Sequence, residues 1–408
     1  MTIDLEELYK DLHTNPELSF QEVRTSGIAA QHLEDLGFTV HRNVGKTGVV
    51  GVLENGPGPV VMLRADMDAL PVKEATGLDY ASTAAGVDPE GNDVSVMHAC
   101  GHDVHVTCLV GAAESLAGRK QEWQGTLIAV FQPAEEWGGG AQTMVKDGLY
   151  ERVPKPDVVL GQHVAPFPAG WFGVRAGVTM ASADSLNVIL HGRGGHGSRP
   201  ETTVDPVFMA AAATVRLQGI VSRELAASDS AVVTVGQIHS GTKNNIIPET
   251  ASLGLSVRSF SDATRDKVLG SIERIVKSEA TASGAPKDPE FVYEEHFPLT
   301  VNDEAAAARV KAAFQTAFGE GHIIDPGPVS GSEDVGALAK AADAPLVFWF
   351  LGGADPALFQ EWATTGRLPD VPSNHSPYFA PVIQPTLAHG SKAMATAALE
   401  FLGAGASD

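Results

Sequence analysis

The chain has 408 residues, 43% of them hydrophobic and 19% charged, enough for two or three domains with large buried cores. Its formal net charge of −22, from 28 Lys and Arg against 50 Asp and Glu, excludes nucleic acid and anionic membranes as partners, because binding a polyanion needs a basic surface. The 43 glycines and 25 prolines sit in no low-complexity tract and read as tight turns of a loop-rich fold, not as disorder.

Hydrophobic periodicity predicts helices over 5–13 and 20–36, the second stopped by Gly37. Strands follow at 39–44, 48–53 and 59–64, separated by Gly- and Pro-containing turns. A loop over 71–93 leads to a helix that starts near Asp103 and buries Val106, Leu109, Val110, Ala113 and Leu116. Next come a strand at 125–132, a helix at 139–148 and a strand at 157–163, an alternation that predicts an α/β sheet with helical cover. From Ser185 the order becomes strand 185–191, helix 205–225, strands 231–240 and 249–259, helix 261–282 and strand 290–296. That is the β-α-β-β-α-β order of ferredoxin-like domains. Beyond Pro298 come a helix at 303–318, a strand at 346–350 and a final amphipathic helix at 385–401. The predicted fold class is α/β, with a discontinuous α/β domain over 1–183 and 298–408 interrupted by an α+β domain over 184–297.

The first residues, Met1-Thr2-Ile3-Asp4-Leu5-Glu6-Glu7, have neither a basic n-region nor an apolar h-region. The longest apolar run, from Ala344 to Ala354, is too short to span a bilayer. Cys100 and Cys108 lie two helical turns apart and are not expected to bridge. A cytoplasmic protein is the simplest expectation.

Two clusters bear chemistry. One is Met97-His98-Ala99-Cys100-Gly101-His102-Asp103-Val104-His105, in a loop that enters a helix; the other is Gln132-Pro133-Ala134-Glu135-Glu136-Trp137 followed by three glycines, at a strand end. His163 follows an apolar strand, His375 lies in a polar loop, and the carboxylates Asp66 and Asp68 end the strand that contains Val60. In α/β sheets ligands collect at the carboxyl ends of strands. Thiolate, imidazole and carboxylate together at such ends make the ligand set of a zinc-like or manganese-like site. Adjacent residues on a strand end point to opposite sides, so Glu135 and Glu136 are expected to differ in role, one binding metal and the other holding a proton. Each piece also has a plainer reading: a satisfied polar histidine, a small buried thiol, a solvated helix start, a turn.

Seven segments, in order, resemble one family. They are Arg64-Ala65-Asp66-Met67-Asp68-Ala69-Leu70-Pro71, His98-Ala99-Cys100-Gly101-His102-Asp103, Gln132-Pro133-Ala134-Glu135-Glu136, Gly194-Gly195-His196-Gly197-Ser198-Arg199-Pro200, Asn245-Ile246-Ile247-Pro248-Glu249, Gly331-Ser332-Glu333-Asp334 and His375-Ser376-Pro377. The family is the metal-dependent amidohydrolases that include bacterial aminoacylases, hippurate hydrolases and plant auxin-conjugate hydrolases, within the wider metallo-carboxypeptidase and aminoacylase group. The resemblance implies a two-metal catalytic domain with an inserted lid and dimerisation domain. It implies that Cys100, His102, Glu136, His163 and His375 bind the metals, that Glu135 is the general base, and that Asp68 orients a ligand. It implies that His196 stabilises the tetrahedral intermediate, often reaching the partner subunit's site across a dimer. Asn245 and Arg258 match positions that hold the substrate carboxylate, although His196 could instead serve a Gly-rich turn and Arg258 a surface ion pair. Trp137 and Glu201 depart from the family pattern, which puts the substrate preference of close relatives in doubt.

The implied cofactors are two divalent ions per subunit, Zn²⁺ or Mn²⁺, with Co²⁺ or Ni²⁺ also compatible. The implied activity is hydrolysis of the amide bond of N-acyl amino acids, with a homodimer or higher homo-oligomer formed through the lid domain. A dipeptidase or carboxypeptidase with the same site is the enzymatic alternative. A non-catalytic metal-binding protein is disfavoured because Glu135 is left over beside the ligands, and a thiol redox protein because Cys108 is badly placed to resolve Cys100.

Overall fold

The computed structural model describes residues 3–360, 365–367 and 370–405. In chain order the first part holds α1 (Leu5–Thr14), α2 (Val23–Asp35), β1 (Thr39–Val44), β2 (Gly48–Asn55), β3 (Val60–Asp66), β4 (Ala85–Val87), β5 (Asp93–Ser95), α3 (His102–Gly118), β6 (Trp123–Gln132), α4 (Gly140–Lys146), α5 (Leu149–Arg152), β7 (Val158–Pro168), β8 (Phe172–Gly173) and β9 (Gly177–Met180). The middle holds β10 (Ser182–His191), β11 (Gly195–His196), α6 (Pro206–Leu217), β12 (Ala231–Ser240), β13 (Ile246–Ile247), β14 (Thr250–Ser259), α7 (Asp262–Ala282) and β15 (Glu290–Phe297). The remainder holds β16 (Thr300–Asn302), α8 (Glu304–Phe318), β17 (Ile323–Ile324), α9 (Gly336–Ala342), β18 (Leu346–Ala354), α10 (Ile383–Phe401) and β19 (Gly403–Ala404). Helix starts follow local capping: Asp4, Ser261 and Asp303 each accept backbone N–H groups of the first turn of α1, α7 and α8.

The chain divides into two compact units. The first is Met1–Thr179, Val301–Gly327 and Asp334–Asp408; the second is Met180–Thr300 with Pro328–Glu333. The short return of 328–333 to the second unit has no counterpart in a division made by a single insert.

In the first unit a nine-stranded sheet runs β1-β2-β6-β3-β7-β18-β8-β17, with β19 on β6. The inner strands β6, β3, β7 and β18 are parallel, and the outer pairs β1–β2 and β2–β6 are antiparallel. Strands buried on both faces read as near-continuous apolar runs, and β18 is buried along its whole length. This is the fate of the apolar run at 344–354, and among the described residues no helix is long and apolar enough to cross a membrane. The core joins Leu33 of α2, Leu109 of α3, Phe314 of α8 and Met394 of α10 to Phe131 and Trp349 of the sheet.

The second unit is a four-stranded antiparallel sheet in the order β12-β14-β10-β15, the ferredoxin-like arrangement, with α6 and α7 packed through Met209, Ala213, Ile272 and Val276.

Several predicted elements change. The second helix starts at Val23 rather than at Phe20, because Phe20 stands at φ 61, a left-handed conformation that no helix contains. The loop at 71–93 folds in part into the β4–β5 hairpin, strands too short to show a period. The helix predicted over 205–225 ends at Leu217 and gives way to a separate turn at Ile220–Glu224.

Candidate functional site

The carboxyl ends of the inner strands bring the chemical residues of the first unit together. Asp66, the last residue of β3, lies in register with Gln132, the last of β6. One strand further on, His163 of β7 lies opposite Phe350 of β18. Between them α3 starts at His102 behind Gly101, whose φ of 81 favours glycine. A Cβ there would also meet Val164 Cγ1 at 2.4 Å, so Gly101 is required twice over. His375 reaches the same place from its loop, its N–H donating to the Ala99 carbonyl at 2.8 Å and its backbone held at φ 69.

Several overlapping donor sets result among the described residues, and two of them share one thiol. Cys100, His102 and His163 offer ligand atoms within 4.8 Å of one another, and so do Cys100, Glu136 and His375. Cys100 Sγ lies 3.4 Å from His163 Nε2, and Glu136 Oε1 lies 3.2 Å from His375 Nε2. Glu135 and Glu136 do not point to opposite sides: their Oε2 and Oε1 atoms lie 4.0 and 3.9 Å from the same His102 Nε2. The pleat that would have separated them ends at Gln132, and the chain then turns through Ala134 at φ 48.

Of the supports of this cluster, Asp68 was expected from the resemblance, while its partners were not legible in the sequence. Asp68 takes the Glu135 and Glu136 N–H groups on its two oxygens at 3.0 Å each, accepts Ser19 Oγ–H at 2.7 Å, and stands 3.3 Å from His102 Nδ1. His163 Nδ1 must be protonated to donate to the Val164 carbonyl at 2.8 Å, which turns the lone pair of Nε2 toward Cys100. The Val164 N–H in turn donates to His105 Nε2 at 2.8 Å, so the His105 proton lies on Nδ1, facing Asp66 Oδ1 at 2.5 Å. Asn374 Nδ2 ties the Cys100 and Val164 carbonyls at 3.2 and 3.1 Å. Beneath them the fully buried Arg64 reaches Asp66 at 2.7 Å, Gln132 at 2.8 Å and Asp334 at 3.3 Å, which pairs a charge that could not be left alone. His105 had one sequence signal, its place one turn after His102 on the same helix face. Ser19 and Asn374 had none.

The electrostatics of the cluster are those of a site with too little positive charge. Burial opposes charge on His102, but Asp66, Asp68 and Glu136 outweigh it and lift its pKa to about 10. Burial, followed by the charges of Glu136, Glu135 and Asp66, drives the Cys100 thiol well above its usual range. His102 Nε2 is buried, makes no hydrogen bond, and has carboxylate oxygens of Asp66, Glu136 and Glu135 at 3.8–4.0 Å, spaced as ligands around an ion and too far apart for hydrogen bonds. The crowded carboxylates that hold protons on Cys100 and His102 fit a divalent cation, which would take the place of those protons.

The second unit carries the other candidates. β11 pairs with β13, setting His196 opposite Ile246, while the Gly197 N–H donates to the Asn245 carbonyl at 2.8 Å. His196 and Asn245 are thus neighbours, both exposed. His196 Nδ1 accepts the Ser198 N–H at 3.1 Å, which places the ring proton on Nε2. Arg258 is half-buried on β14 and donates to Ser332 Oγ at 2.7 Å and the Ser330 carbonyl at 3.3 Å, away from the His196–Asn245 pair in the strand ladder.

Comparison with known proteins agrees with this chemistry. Residues 62–364 match the family described as peptidase family M20/M25/M40. The chain is 40% identical to a hippurate hydrolase of Campylobacter jejuni, over 85% of this chain and 87% of the relative. It is 38% identical to thermostable carboxypeptidase 2 of Saccharolobus solfataricus, over 85% of each. A solved Bacillus subtilis structure described as a dinuclear metal-binding peptidase of the M20 family superposes with a TM-score of 0.77 at 28% identity, covering 98% of this chain and 97% of the other. The chain belongs to peptidase family M20/M25/M40, among the metal-dependent amidohydrolases whose motifs it carries.

Proposed function

We propose that the protein hydrolyses the amide bond of N-acyl amino acids, releasing a carboxylic acid and an amino acid. The observation that carries this is the pair of donor sets sharing Cys100 with Glu135 beside them, in a chain 40% identical to a hippurate hydrolase. His102 and His163 with Cys100, and Glu136 and His375 with the same thiol, would hold two divalent ions. Zn²⁺ suits the thiolate, while Mn²⁺, Co²⁺ or Ni²⁺ suit the remaining donors. Bound there, such ions supply Lewis-acid activation of water and of the scissile carbonyl.

The remaining work falls to the chain's own residues. Glu135 takes a proton from the attacking water and returns it to the leaving amine. Asp68 holds the glutamate amides and faces His102, which keeps base and ligands in one frame. By the resemblance, His196 presents Nε2–H to the developing oxyanion, a contact often made across a dimer in the family. Arg258 is the candidate to hold the substrate carboxylate, a local cation being needed because the net charge of −22 repels anions at long range. Asn245 is set apart from it along β14 and would meet the same carboxylate only from a second subunit.

Elemental analysis of the purified protein, followed by a panel of acetyl, benzoyl and indoleacetyl amino acids scored for released amine, tests the reading. We expect about two divalent ions per chain, amine release from several members, and loss of turnover with a chelator that is reversed by added metal. A metal-loaded protein that releases no amine from any member overturns it. Dipeptides belong in the same panel, since the likeness to a carboxypeptidase favours peptide cleavage as the second reading.

The second unit supports a homodimer. β12 is a sheet edge with Val232 and Ile238 exposed, and α6 exposes Phe208, Ala211 and Val215 on one face, with Phe208 at 66% and Val215 at 76%. An apolar edge beside an apolar helix face is a surface that a second copy covers by symmetry. Light scattering should give twice the 42.6 kDa chain mass, and Phe208→Glu with Val215→Glu should give the chain mass. A monomeric wild type would refute the dimer. The two cysteines are both free, in keeping with a cytoplasmic setting.

A further inference from the structure

The turn that carries Glu135 and Glu136 has a second carboxylate behind it. Glu22 is completely buried just ahead of α2. One of its oxygens accepts the Ala134 N–H at 2.8 Å and the other accepts Thr47 Oγ–H at 2.5 Å. The following two amides, of Glu135 and Glu136, go to Asp68. Three successive N–H groups are therefore shared between two buried carboxylates.

A buried carboxyl is costly, and a hydrocarbon side chain would fill the same space without that cost. Burial, and then the charge of Asp68, push the Glu22 carboxyl up to about 7. Its oxygens must therefore do something a methyl group cannot. Ala134 shows what: at φ 48 it holds a left-handed conformation that residues other than glycine rarely adopt and that persists only where the surroundings impose it. The Glu22 acceptor is the group that grips that residue's own amide.

We propose that Glu22 is a positioning residue for Glu135 and Glu136, clamping Ala134 in the left-handed turn from which both carboxylates face His102. This rests on the reading of Glu135 as proton carrier and Glu136 as metal donor. Glu22 itself touches no substrate and acts only through the turn.

The test uses the full chain with three variants, measuring kcat on an N-acyl amino acid and Zn²⁺ affinity by competition with a chromophoric chelator. Glu22→Met keeps the length and removes the acceptors; kcat and Zn²⁺ affinity should each fall about 10–100-fold. Glu22→Gln keeps an acceptor for Ala134 and gains a donor for Thr47; both quantities should stay within about threefold of wild type. Adding Ala134→Gly to Glu22→Met should recover part of the loss, because glycine takes a positive φ without help. Merely filling the core would predict no such rescue. Wild-type kcat and Zn²⁺ affinity in folded Glu22→Met overturns the proposal, and so does failure of Ala134→Gly to restore anything. Should Glu22→Met not fold, recovery of folding in the double variant decides in the same two directions. A wild type that binds Zn²⁺ but releases no amine overturns the functional reading instead, and the Zn²⁺ affinities then judge Glu22 alone.

Discussion

Glu135→Gln should lower kcat by about 10²–10⁴-fold, the range of a lost general base, while the metal content stays at the wild-type value. The amide side chain has the shape of the carboxylate but cannot accept a proton from water at neutral pH. The Glu135 backbone contact to Asp68 comes from its N–H and survives the change, so the turn keeps its shape. His102, Cys100, His163, Glu136 and His375 also remain, which predicts undiminished metal binding. The measurement is kcat by released amine together with elemental analysis of the same sample. Substantial turnover in Glu135→Gln would remove the assigned role, and loss of metal would recast Glu135 as a ligand.

His196→Ala is expected to lower kcat by about 10²–10³-fold, equivalent to about 2.7–4 kcal/mol, the cost of removing one donor to an oxyanion. The basis is a tautomer. A backbone N–H can only donate, so the Ser198 N–H on Nδ1 leaves the His196 proton on Nε2, the nitrogen free to face outward. The ring is exposed and lies beside Asn245, so it is not held there as core. A donor that acts on charge formed during the reaction lowers kcat with little change in KM. Steady-state kinetics that show a raised KM with kcat intact would assign His196 to substrate binding instead.

Residue type and place were enough to single out the side chains that the first unit gathers. Thiol, imidazole and carboxylate stood at loop mouths, and the alternation of strands and helices put those mouths on one edge of a sheet. The relative orientation of Glu135 and Glu136 was misread because strand geometry was extended past Gln132 into a turn whose first residues depend on Glu22 and Asp68. Those contacts join residues 112, 67 and 68 positions apart, and no local pattern records them. The same reason hid Ser19 and Asn374: each acts by hydrogen bonding across distant segments, and neither has a type or spacing that sets it apart, whereas His105 was marked by its spacing from His102 but not by its role. Phe20 misled in a different way, since an aromatic residue at the head of an apolar period looks like a helix residue, whereas its backbone turns so that Ser19 reaches Asp68 and Glu22 reaches Ala134.

The pairing of β7 with β18 has a consequence for how the molecule is made. Val159 lies in register with Leu346, so two adjacent parallel strands are separated by the whole second unit along the chain. Closing so long a loop costs little free energy, only about 0.6 kcal/mol per doubling of length, but such non-local pairing is slow. The second unit shortens the search. Ala183 and Phe297, near its two ends, are partners on neighbouring strands, so once that unit has folded the intervening chain behaves as a short connection. Pairing of β18 with β7 is thus a contact of the first unit that depends on segments far apart in sequence. The strand that bears His163 is therefore completed by a neighbour drawn from beyond the whole second unit in sequence.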